Sequence, residues 1–406
     1  MYYFPKINDI IKANRNIRNI MPMYTMLQQN KDISDKYSSN IFLKREDQTP
    51  VKSYKIRGAY NKISSLPKLT RVTCASAGNH AQGVAYSSNL LNIKSDIFMP
   101  KITTKQKIDK VRKFGGNYIR IHLEGNNFDE CSKIANEYMI SNNSEYVHPF
   151  NDTLVIEGQA TVGYEILNQL DKIDYIIVPI GGGGLASGVS SLVKQIKPNI
   201  KIIGVEPMGA ASMKESIKYN RVVTLENINN FVDGAAVKQV GELNFNICRE
   251  TLDDIILIDE GHVCSKILEV YNQHSYIIEP AGVLSLCALD ILRDNIKGKN
   301  VVCVISGGNS DVFRMPEILE RSLTYEGLKH YFKIQFPQKA GTLKNFILNV
   351  LGKEDDIIYF KYEKIINKEL GPVTLGIELK DKNDINSLLN KMTEHNIIYE
   401  KLNQLK

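Results

Sequence analysis

The sequence lacks the patterns that mark metal-binding, disulfide-linked and membrane-spanning proteins. Its six cysteines form no CxxC pair and its seven histidines show no metal-ligand spacing, which argues against a zinc or iron site. Several cysteines lie in apolar stretches such as residues 301–305, as free buried thiols do in a reducing cytosol. No apolar run is long enough to span a membrane, and the N-terminal stretch has neither a signal-peptide nor a transit-peptide pattern. These absences predict a cytoplasmic protein without a metal ion.

The chain also lacks a strong charge imbalance. Its 51 basic and 45 acidic residues leave a net charge of +6 that is spread along the chain, so a nucleic-acid-binding face is not expected. Hydrophobic residues make up 43% and charged residues 24%, which is ordinary for a globular protein. At 406 residues the chain exceeds what one hydrophobic core usually supports, so we expect two or three domains.

Short β-branched runs alternate with helical stretches over most of the chain. Strands are predicted at residues 41–44, 72–75, 95–99, 118–121, 175–179, 201–205 and 301–305, and helices at 104–114, 126–139 and 185–197, among others. This alternation is typical of an α/β fold with largely parallel sheets.

The pattern changes near residue 321 to the order strand, helix, strand, strand, helix, strand. These elements are predicted at residues 331–336, 342–351, 356–362, 372–379, 384–395 and 397–399. The order is that of a ferredoxin-like βαββαβ domain. We therefore divide the chain into a first domain at 1–324, with a small subdomain at about 48–155, and a second domain at 325–406.

Three of the predicted strands run straight into a polar, glycine-containing turn. The turns begin at Ser76, Gly181 and Ser306. Because ligands of open α/β sheets bind at the carboxyl ends of the strands, these turns predict a ligand site. In the first of them, Ser76 or Asn79 could simply cap the helix that follows, although the free N–H groups there also suit an anion such as a substrate carboxylate.

Lys55 stands in an unusual stretch, between Ser53-Tyr54 and Arg57-Gly58. Most lysines are surface residues, and spacing alone leaves that interpretation open. The alternative is a Schiff-base lysine, which must be partly desolvated to keep a usable neutral amine, and Tyr54 could shield it. A lysine amine, a polar Asn-His turn and a backbone cradle are the groups that an aldehyde cofactor with a phosphate requires.

The glycine run at 181–184 has two interpretations. The pattern Gly181-x-Gly183-x-x-Ala186 follows a strand and opens a helix, and Glu206 ends the next strand, as in a dinucleotide-binding fingerprint. A P-loop is excluded because Val189-Ser190 stands where Lys-Ser/Thr is required. Four consecutive glycines also suit a tight phosphate cup, and this motif alone does not decide between the two.

Together these motifs resemble the threonine dehydratases (threonine ammonia-lyases), pyridoxal-phosphate enzymes of fold type II, the tryptophan-synthase β-subunit type. The resemblance covers nearly the whole chain, and in the family's order it includes the stretch around Lys55, residues 76–83, the glycine run, Phe231-Val232-Asp233-Gly234, Glu279-Pro280-Ala281-Gly282 and Ser306-Gly307-Gly308-Asn309. It implies a catalytic domain of two open α/β subdomains followed by a ferredoxin-like, ACT-like regulatory domain. Because all of these motifs occur together in one chain, a dinucleotide-dependent oxidoreductase becomes a distant alternative.

The resemblance implies a role for each candidate site residue. Lys55 would bind the cofactor pyridoxal 5'-phosphate as a Schiff base, with Tyr54 beside it. The phosphate would be bound by the backbone amides of Gly181, Gly182, Gly183, Gly184 and Leu185. Asn79 would hydrogen-bond the ring hydroxyl, and Ser306 would face the pyridine nitrogen. The substrate carboxylate would lie near Ser76, Gly78, Asn79 and His80.

The implied activity is the elimination of water from L-threonine to give 2-oxobutanoate and ammonia, the first step of isoleucine biosynthesis. Lys55 would remove the α-proton, and a neutral serine opposite the ring nitrogen favours elimination over transamination. Ala77 stands where relatives that racemise serine carry a second serine, so elimination without racemisation is expected. Ser212 stands where some relatives have an aspartate metal ligand, which again predicts no metal.

The C-terminal part resembles the regulatory module of biosynthetic threonine dehydratases, and a single copy fits the remaining length. This implies allosteric inhibition by isoleucine, with valine as its antagonist; a dimerisation module without a ligand is the alternative. The resemblance also implies a homotetramer or homodimer. Two further functions stay open, a dehydratase of the same fold with serine as its main substrate and a non-enzymatic amino-acid sensor.

Overall fold

The computed structural model describes residues 3–67, 70–362 and 368–402. The chain forms two compact units, Met1–Asp311 and Val312–Lys406. Within the described residues, no helix combines the length and the apolarity that crossing a membrane needs.

The first unit alternates helices and strands along its length. Its first elements are α1 (Ile7–Ile17), β1 (Leu27–Gln29), α2 (Lys31–Tyr37), β2 (Asn40–Arg45), α3 (Lys55–Ser64), β3 (Val72–Ala75), α4 (Asn79–Leu91), β4 (Ser95–Met99), α5 (Lys105–Gly115), β5 (Ile119–Leu123), α6 (Phe128–Ser141), β6 (Glu145–Tyr146) and α7 (Thr153–Gln169). They are followed by β7 (Tyr175–Pro179), α8 (Gly184–Ile196), β8 (Lys201–Pro207), α9 (Ser212–Lys218), α10 (Glu242–Thr251), β9 (Asp254–Ile258), α11 (Glu260–His274), α12 (Pro280–Leu292) and β10 (Asn300–Ile305). The strands and helices predicted for this region are confirmed to within a few residues at their ends.

The smaller of the two sheets in this unit has the strand order β5-β4-β3-β6 and is parallel throughout. Every residue of β3 and β4 is buried, as expected for parallel strands covered on both faces. Side chains from α3, α4 and α5 complete its core, among them Ile63, Val84 and Val111.

The larger sheet has the order β1-β2-β10-β7-β8-β9, and only β1 is antiparallel to its neighbour. Its core includes Val178, Val189 and Val304, contributed by β7, α8 and β10. The prediction of largely parallel sheets is therefore confirmed. The three polar turns are divided between the sheets, since the turn after β3 belongs to the small sheet and those after β7 and β10 belong to the large one.

Four charged side chains lie fully buried between β2, α3 and α7, and we call Lys44, Glu46, Arg57 and Glu165 the buried charge cluster. Arg57 Nε contacts Glu46 Oε2 at 2.7 Å, and Arg57 Nη1 contacts Glu165 Oε1 at 2.8 Å. Lys44 Nζ lies 2.7 Å from Glu165 Oε2, and the Thr25 hydroxyl donates to Glu46 Oε1. Because Arg57 lies only two residues beyond Lys55, this cluster holds the start of α3 against β2 and α7.

The second unit begins with helix α13 (Met315–Glu326) and then has the predicted βαββαβ order. Its elements are β11 (Lys329–Pro337), α14 (Thr342–Asn349), β12 (Asp356–Tyr362), β13 (Leu370–Glu378), α15 (Asp384–Glu394) and β14 (Ile398–Leu402). The strands form an antiparallel sheet in the order β12-β13-β11-β14 over a core that includes Phe332, Phe346 and Leu375. The last strand extends beyond the predicted 397–399 because its pairing with β11 continues to Leu402.

Candidate active site

Lys55 is the first residue of α3, and its side chain is only partly exposed. Its Nζ donates to the carbonyl of Pro149 at 2.8 Å and lies 5.4 Å from the centre of the Tyr54 ring. Burial lowers the pKa of Lys55 to about 8, although the nearby Glu279 carboxylate opposes this effect. The neutral amine, which a nucleophile or a general base requires, is therefore far more abundant near neutral pH than in an ordinary lysine.

The loop at 181–184 and the first turn of α8 form a cradle of hydrogen-bond donors. Within the described residues, the backbone N–H groups of Gly181, Gly182, Gly183, Gly184 and Leu185 have no acceptor. Gly183 has a φ of +94°, which a residue with a side chain rarely adopts. Free N–H groups at a helix N-terminus attract an anion, so this cradle fits a phosphate.

Phe150 and Asn244, which the sequence motifs did not indicate, pack against the loop of the cradle. A Cβ at Gly182 would lie 2.3 Å from the Phe150 ring, so only glycine allows this packing. Asn244 Nδ2 donates to the carbonyls of Gly182 and Phe150, at 2.7 and 3.1 Å. Because Phe150 follows Pro149, the acceptor of the Lys55 amine, one short segment contacts both the amine and the cradle.

Ser306 directly follows β10 and lies next to the turn that carries Lys55. It is 3% exposed, and its carbonyl accepts a hydrogen bond from the Tyr54 N–H at 3.1 Å. A β-bridge between Ser53 and Gly307 joins the same two segments. The structure therefore brings Ser306, Tyr54 and Lys55 together, although two of them are about 250 residues from the third in sequence.

Asn79 opens α4 and belongs to a polar group in which Asn79 and Asn309 are half-buried and Glu279 is buried, with members from segments next to both sheets. Its Nδ2 donates to Glu279 Oε1 at 2.7 Å, and its Oδ1 accepts from Asn309 Nδ2 at 2.8 Å. Burial and the Asp233 carboxylate raise the pKa of Glu279 to about 7, whereas its hydrogen bond from Asn79 opposes the shift. The sequence motifs contain Glu279 and Asn309, but nothing in them indicates that they contact Asn79.

The predicted substrate-binding residues surround the N-terminus of α4. The Ser76 Oγ accepts from the Gly78 N–H at 3.2 Å, and apart from the chain neighbours no described residue comes within 4 Å of where a Cβ at 78 would stand. The side chain of His80 instead turns inward, where Nε2 is 2.8 Å from the Val147 carbonyl. Burial and the Lys55 charge lower the pKa of His80 to about 3. His80 can therefore offer a ligand its backbone N–H but not its imidazole.

Helix α5 reaches from the small sheet to loops of the large one beside this site. Lys107 Nζ lies 2.8 Å from Asp233 Oδ2, and Lys110 Nζ donates to Asn309 Oδ1 at 3.3 Å. These two contacts link the two halves of the first unit at the edge of the Asn79 group.

Glu206, the acidic residue of the dinucleotide fingerprint, caps a helix. Its carboxylate accepts from the N–H groups of Met213 and Lys214 at 2.7 and 2.8 Å, at the start of α9. Burial raises its pKa to about 8. Both carboxylate oxygens of Glu206 are therefore bonded to the start of α9 rather than directed at a ribose.

In the described part of the chain no three His, Cys, Asp or Glu side chains are grouped as metal ligands.

The groups at this site fit pyridoxal phosphate. The five free N–H groups suit its phosphate, the Lys55 amine suits its aldehyde, and Asn79 and Ser306 offer neutral polar groups for its ring. Whether each residue contacts the cofactor as expected stays a prediction.

Two family models match the chain. Residues 22–307 match the pyridoxal-phosphate dependent enzymes, and residues 320–406 match the C-terminal regulatory domain of threonine dehydratase.

Similar proteins agree with these matches. The "L-threonine dehydratase biosynthetic IlvA" of Halalkalibacterium halodurans is 51% identical over 403 residues, covering 98% of this chain and 97% of that protein. The solved structure of the processed form of threonine deaminase isoform 2 from Solanum lycopersicum is 37% identical with a TM-score of 0.73, covering 79% of this chain and 96% of that one. That of maize serine racemase is 29% identical with a TM-score of 0.72, covering 80% and 99%. The chain therefore belongs to the pyridoxal-phosphate dependent enzymes, within the threonine dehydratases that carry a C-terminal regulatory domain.

Proposed function

We propose that this enzyme removes water from L-threonine and releases 2-oxobutanoate and ammonia, with pyridoxal phosphate bound at Lys55. The observation that carries the proposal is a half-buried lysine amine of lowered pKa that donates to the Pro149 carbonyl, next to the segment that packs against the free N–H groups of the cradle. The printed name of the 51% identical relative, L-threonine dehydratase, supports threonine as the substrate.

The chemistry divides between the cofactor and the protein. When bound, pyridoxal phosphate supplies an electrophilic carbon for the substrate amine and a conjugated ring that disperses the electrons left by the departing α-proton. The cradle residues, Gly181 to Leu185, bind the phosphate and so orient the ring. Lys55 takes the α-proton on its neutral amine, the β-hydroxyl leaves with a proton as water, and hydrolysis of the released enamine gives 2-oxobutanoate and ammonia.

The N-terminus of α4 is proposed to bind the substrate carboxylate. The backbone N–H groups of Asn79 and His80 lie in its first turn, where the helix dipole favours an anion, and the Ser76 hydroxyl can donate as well. The open space beside Gly78 leaves room for that carboxylate. Because the His80 imidazole is buried, its role is limited to its backbone.

Ser306 is proposed to face the ring nitrogen. A hydroxyl carries no charge, so it does not hold that nitrogen protonated as a carboxylate would. An uncharged hydroxyl at Ser306 would leave the bound cofactor a weaker electron sink than a carboxylate would, which favours elimination over transamination.

The substrate assignment is tested by supplying the purified protein with pyridoxal phosphate and comparing threonine with serine. We expect 2-oxobutanoate from threonine, no dependence on added NAD, and a borohydride-reduced adduct on Lys55. Colourless protein, or an adduct on another lysine, would contradict the proposal. Interconversion of L- and D-serine as fast as keto-acid formation would contradict the expectation drawn from Ala77.

We expect the apoenzyme to rebind pyridoxal phosphate faster as pH rises through about 8 and to level off above it. The Lys55 pKa is lowered, so its amine is protonated and unreactive below that pH and neutral above it. The rate constant of cofactor binding, followed by visible absorbance between about pH 6 and pH 10, measures this. Reaction of the cofactor with a simple alkylamine controls for ionisation of the cofactor itself. A rate still rising steeply at pH 10 would indicate an ordinary exposed lysine.

The second unit is proposed to bind isoleucine and thereby inhibit the enzyme, with valine as its antagonist. The match to a threonine dehydratase regulatory domain supports an effector function, and the ferredoxin-like fold agrees with it. Coupling between two sites typically changes affinity about 5- to 150-fold. We therefore expect L-isoleucine to raise the half-saturating threonine concentration within that range and valine to reverse the effect. D-Isoleucine is the matched control, and identical saturation curves with and without L-isoleucine would leave a purely structural module.

Assembly as a homotetramer or homodimer stays a prediction, supported by the family resemblance alone.

A further inference from the structure

We propose that Glu279 and Asn309 are positioning residues that lock the Asn79 side chain in one orientation, so that its amide presents an N–H, and not its carbonyl oxygen, to the ring oxygen of the cofactor. This inference rests on the proposed function and adds to it the direction of one hydrogen bond and the residues that determine it.

The orientation of the Asn309 amide comes first, because one of its neighbours can only accept a hydrogen bond and another can only donate one. Asn309 Nδ2 lies 2.8 Å from the Val51 carbonyl, which can only accept. Asn309 Oδ1 lies 3.3 Å from Lys110 Nζ, which as an ammonium can only donate. The Asn309 amide therefore has its nitrogen toward Val51 and its oxygen toward Lys110.

Asn309 then determines the orientation of Asn79. The same Asn309 Nδ2 lies 2.8 Å from an amide atom of Asn79, which must be an acceptor and is therefore Oδ1. The other amide atom of Asn79, Nδ2, lies 2.7 Å from Glu279 Oε1. If the Asn79 amide were reversed, its nitrogen would face the nitrogen of Asn309, so two donors would oppose each other. Its oxygen would then face Glu279 Oε1, so two oxygens would oppose each other.

Glu279 is itself held in place for this task. Its second oxygen, Oε2, accepts from the Asn309 backbone N–H at 3.2 Å, so both carboxylate oxygens are used. A Cβ at Gly307 would lie 2.2 Å from Glu279 Oε1, so the residue beside Ser306 must lack a side chain for the carboxylate to fit. This requirement accounts for one glycine of the Ser306-Gly307-Gly308-Asn309 motif.

This orientation leaves one N–H of Asn79 Nδ2 free to bind the cofactor, because the other N–H donates to Glu279. An amide nitrogen has two N–H donors, and one is used by the carboxylate. The second can donate only to an acceptor, so it favours the anionic form of a ring oxygen placed against it. Glu279 and Asn309 thus select which form of the cofactor the site holds without contacting it.

The test is a double-mutant cycle on the holoenzyme with Asn309→Leu and Asn79→Ala. Asn309→Leu removes both hydrogen-bonding functions of the side chain and adds no charge. We expect it to raise the dissociation constant for pyridoxal phosphate about tenfold, the loss typical of a hydrogen bond to a charged group, and to redistribute the visible absorbance bands of the bound cofactor. In an Asn79→Ala background the same substitution should change the dissociation constant less than about twofold, because Asn309 acts through Asn79.

Asn300→Leu is the matched control, since Asn300 lies at the opposite end of β10 from Ser306 and, within the described residues, its side chain bonds only that of the exposed Asn40. It should leave both affinity and spectrum unchanged. If Asn309→Leu fails to fold, Glu279→Gln replaces it, because a Gln oxygen can serve only one of the two donors that the carboxylate accepts. An equal loss of affinity with and without Asn79, or an unchanged spectrum, overturns the inference. Failure of the wild-type protein to bind the cofactor at Lys55 instead overturns the proposed function, so the two failures are distinguishable.

Discussion

Replacing Lys55 by alanine is expected to lower threonine turnover by at least about 10³-fold, because one side chain supplies both the covalent attachment and the proton transfer. The substitution should also abolish the borohydride-reducible bond to the cofactor. Initial rates of 2-oxobutanoate formation and peptide mapping of the reduced protein measure the two losses. Lys172, exposed between α7 and β7, provides the matched lysine, and Lys172→Ala should retain full activity.

Lys55→Arg separates chemistry from charge. Arginine keeps a cation next to Pro149 and Glu279, but its guanidinium stays protonated and forms no Schiff base. If Lys55 acts as proposed, the arginine variant is as inactive as the alanine variant. Activity within about tenfold of wild type would mean that position 55 supplies only a positive charge.

Replacing Arg57 by methionine is expected to lower the free energy of unfolding by about 3–5 kcal/mol, among the largest effects of any single substitution in this chain. Arg57 contacts Glu46 and Glu165, which are fully buried, and the substitution leaves Glu46 with no cation bonded to it in the buried charge cluster. Glu165 keeps Lys44 and Arg18, so most of the loss should arise at Glu46. Denaturation followed by far-ultraviolet circular dichroism measures the change, since the chain has no tryptophan.

Two companion variants make this result interpretable. Lys297→Met removes an exposed ion pair with Asp294 and should lower stability far less than Arg57→Met does. Adding Glu46→Gln to Arg57→Met should recover part of the stability, because no unpaired carboxylate is then buried. Equal effects of Arg57→Met and Lys297→Met would mean that the cluster contributes little.

The cluster also predicts a pH dependence. Burial alone would raise the pKa of Glu165, but the Arg57 guanidinium and the Lys44 ammonium outweigh it and hold that pKa well below its usual range. A depressed carboxylate pKa stabilises the fold above the unfolded-state pKa of about 4.3, and that stabilisation is lost as the pH falls. The part of the stability difference between wild type and Arg57→Met that arises at Glu165 should therefore shrink below about pH 4.

Much of the fold could be predicted because it depends on local pattern. The strands β3, β4, β7 and β10 are short apolar runs bounded by turns, and burial on both faces requires such runs wherever a parallel sheet forms. The ferredoxin-like order of the second unit followed from the same periodicity. The glycine cradle could be located because it also depends on neighbours in sequence, namely a strand, glycines and the first turn of a helix.

The tertiary structure decided which of these local features meet. The sequence did not indicate that His80 turns its imidazole inward, toward the Val147 carbonyl. Nor did it indicate that Asn79, Glu279 and Asn309 form one hydrogen-bonded group, or that Arg57 neutralises carboxylates on two other elements.

The sequence by itself therefore determined the elements and located the candidate lysine and the glycine cradle, whereas the tertiary structure decided which polar side chains meet beside them. The physical reason is that apolar burial repeats with the period of the helix or strand and is visible in a short window. A polar side chain that is shielded from water instead needs a specific partner, and that partner can come from any part of the chain. The half-buried Asn79 bonds partners 200 and 230 residues away.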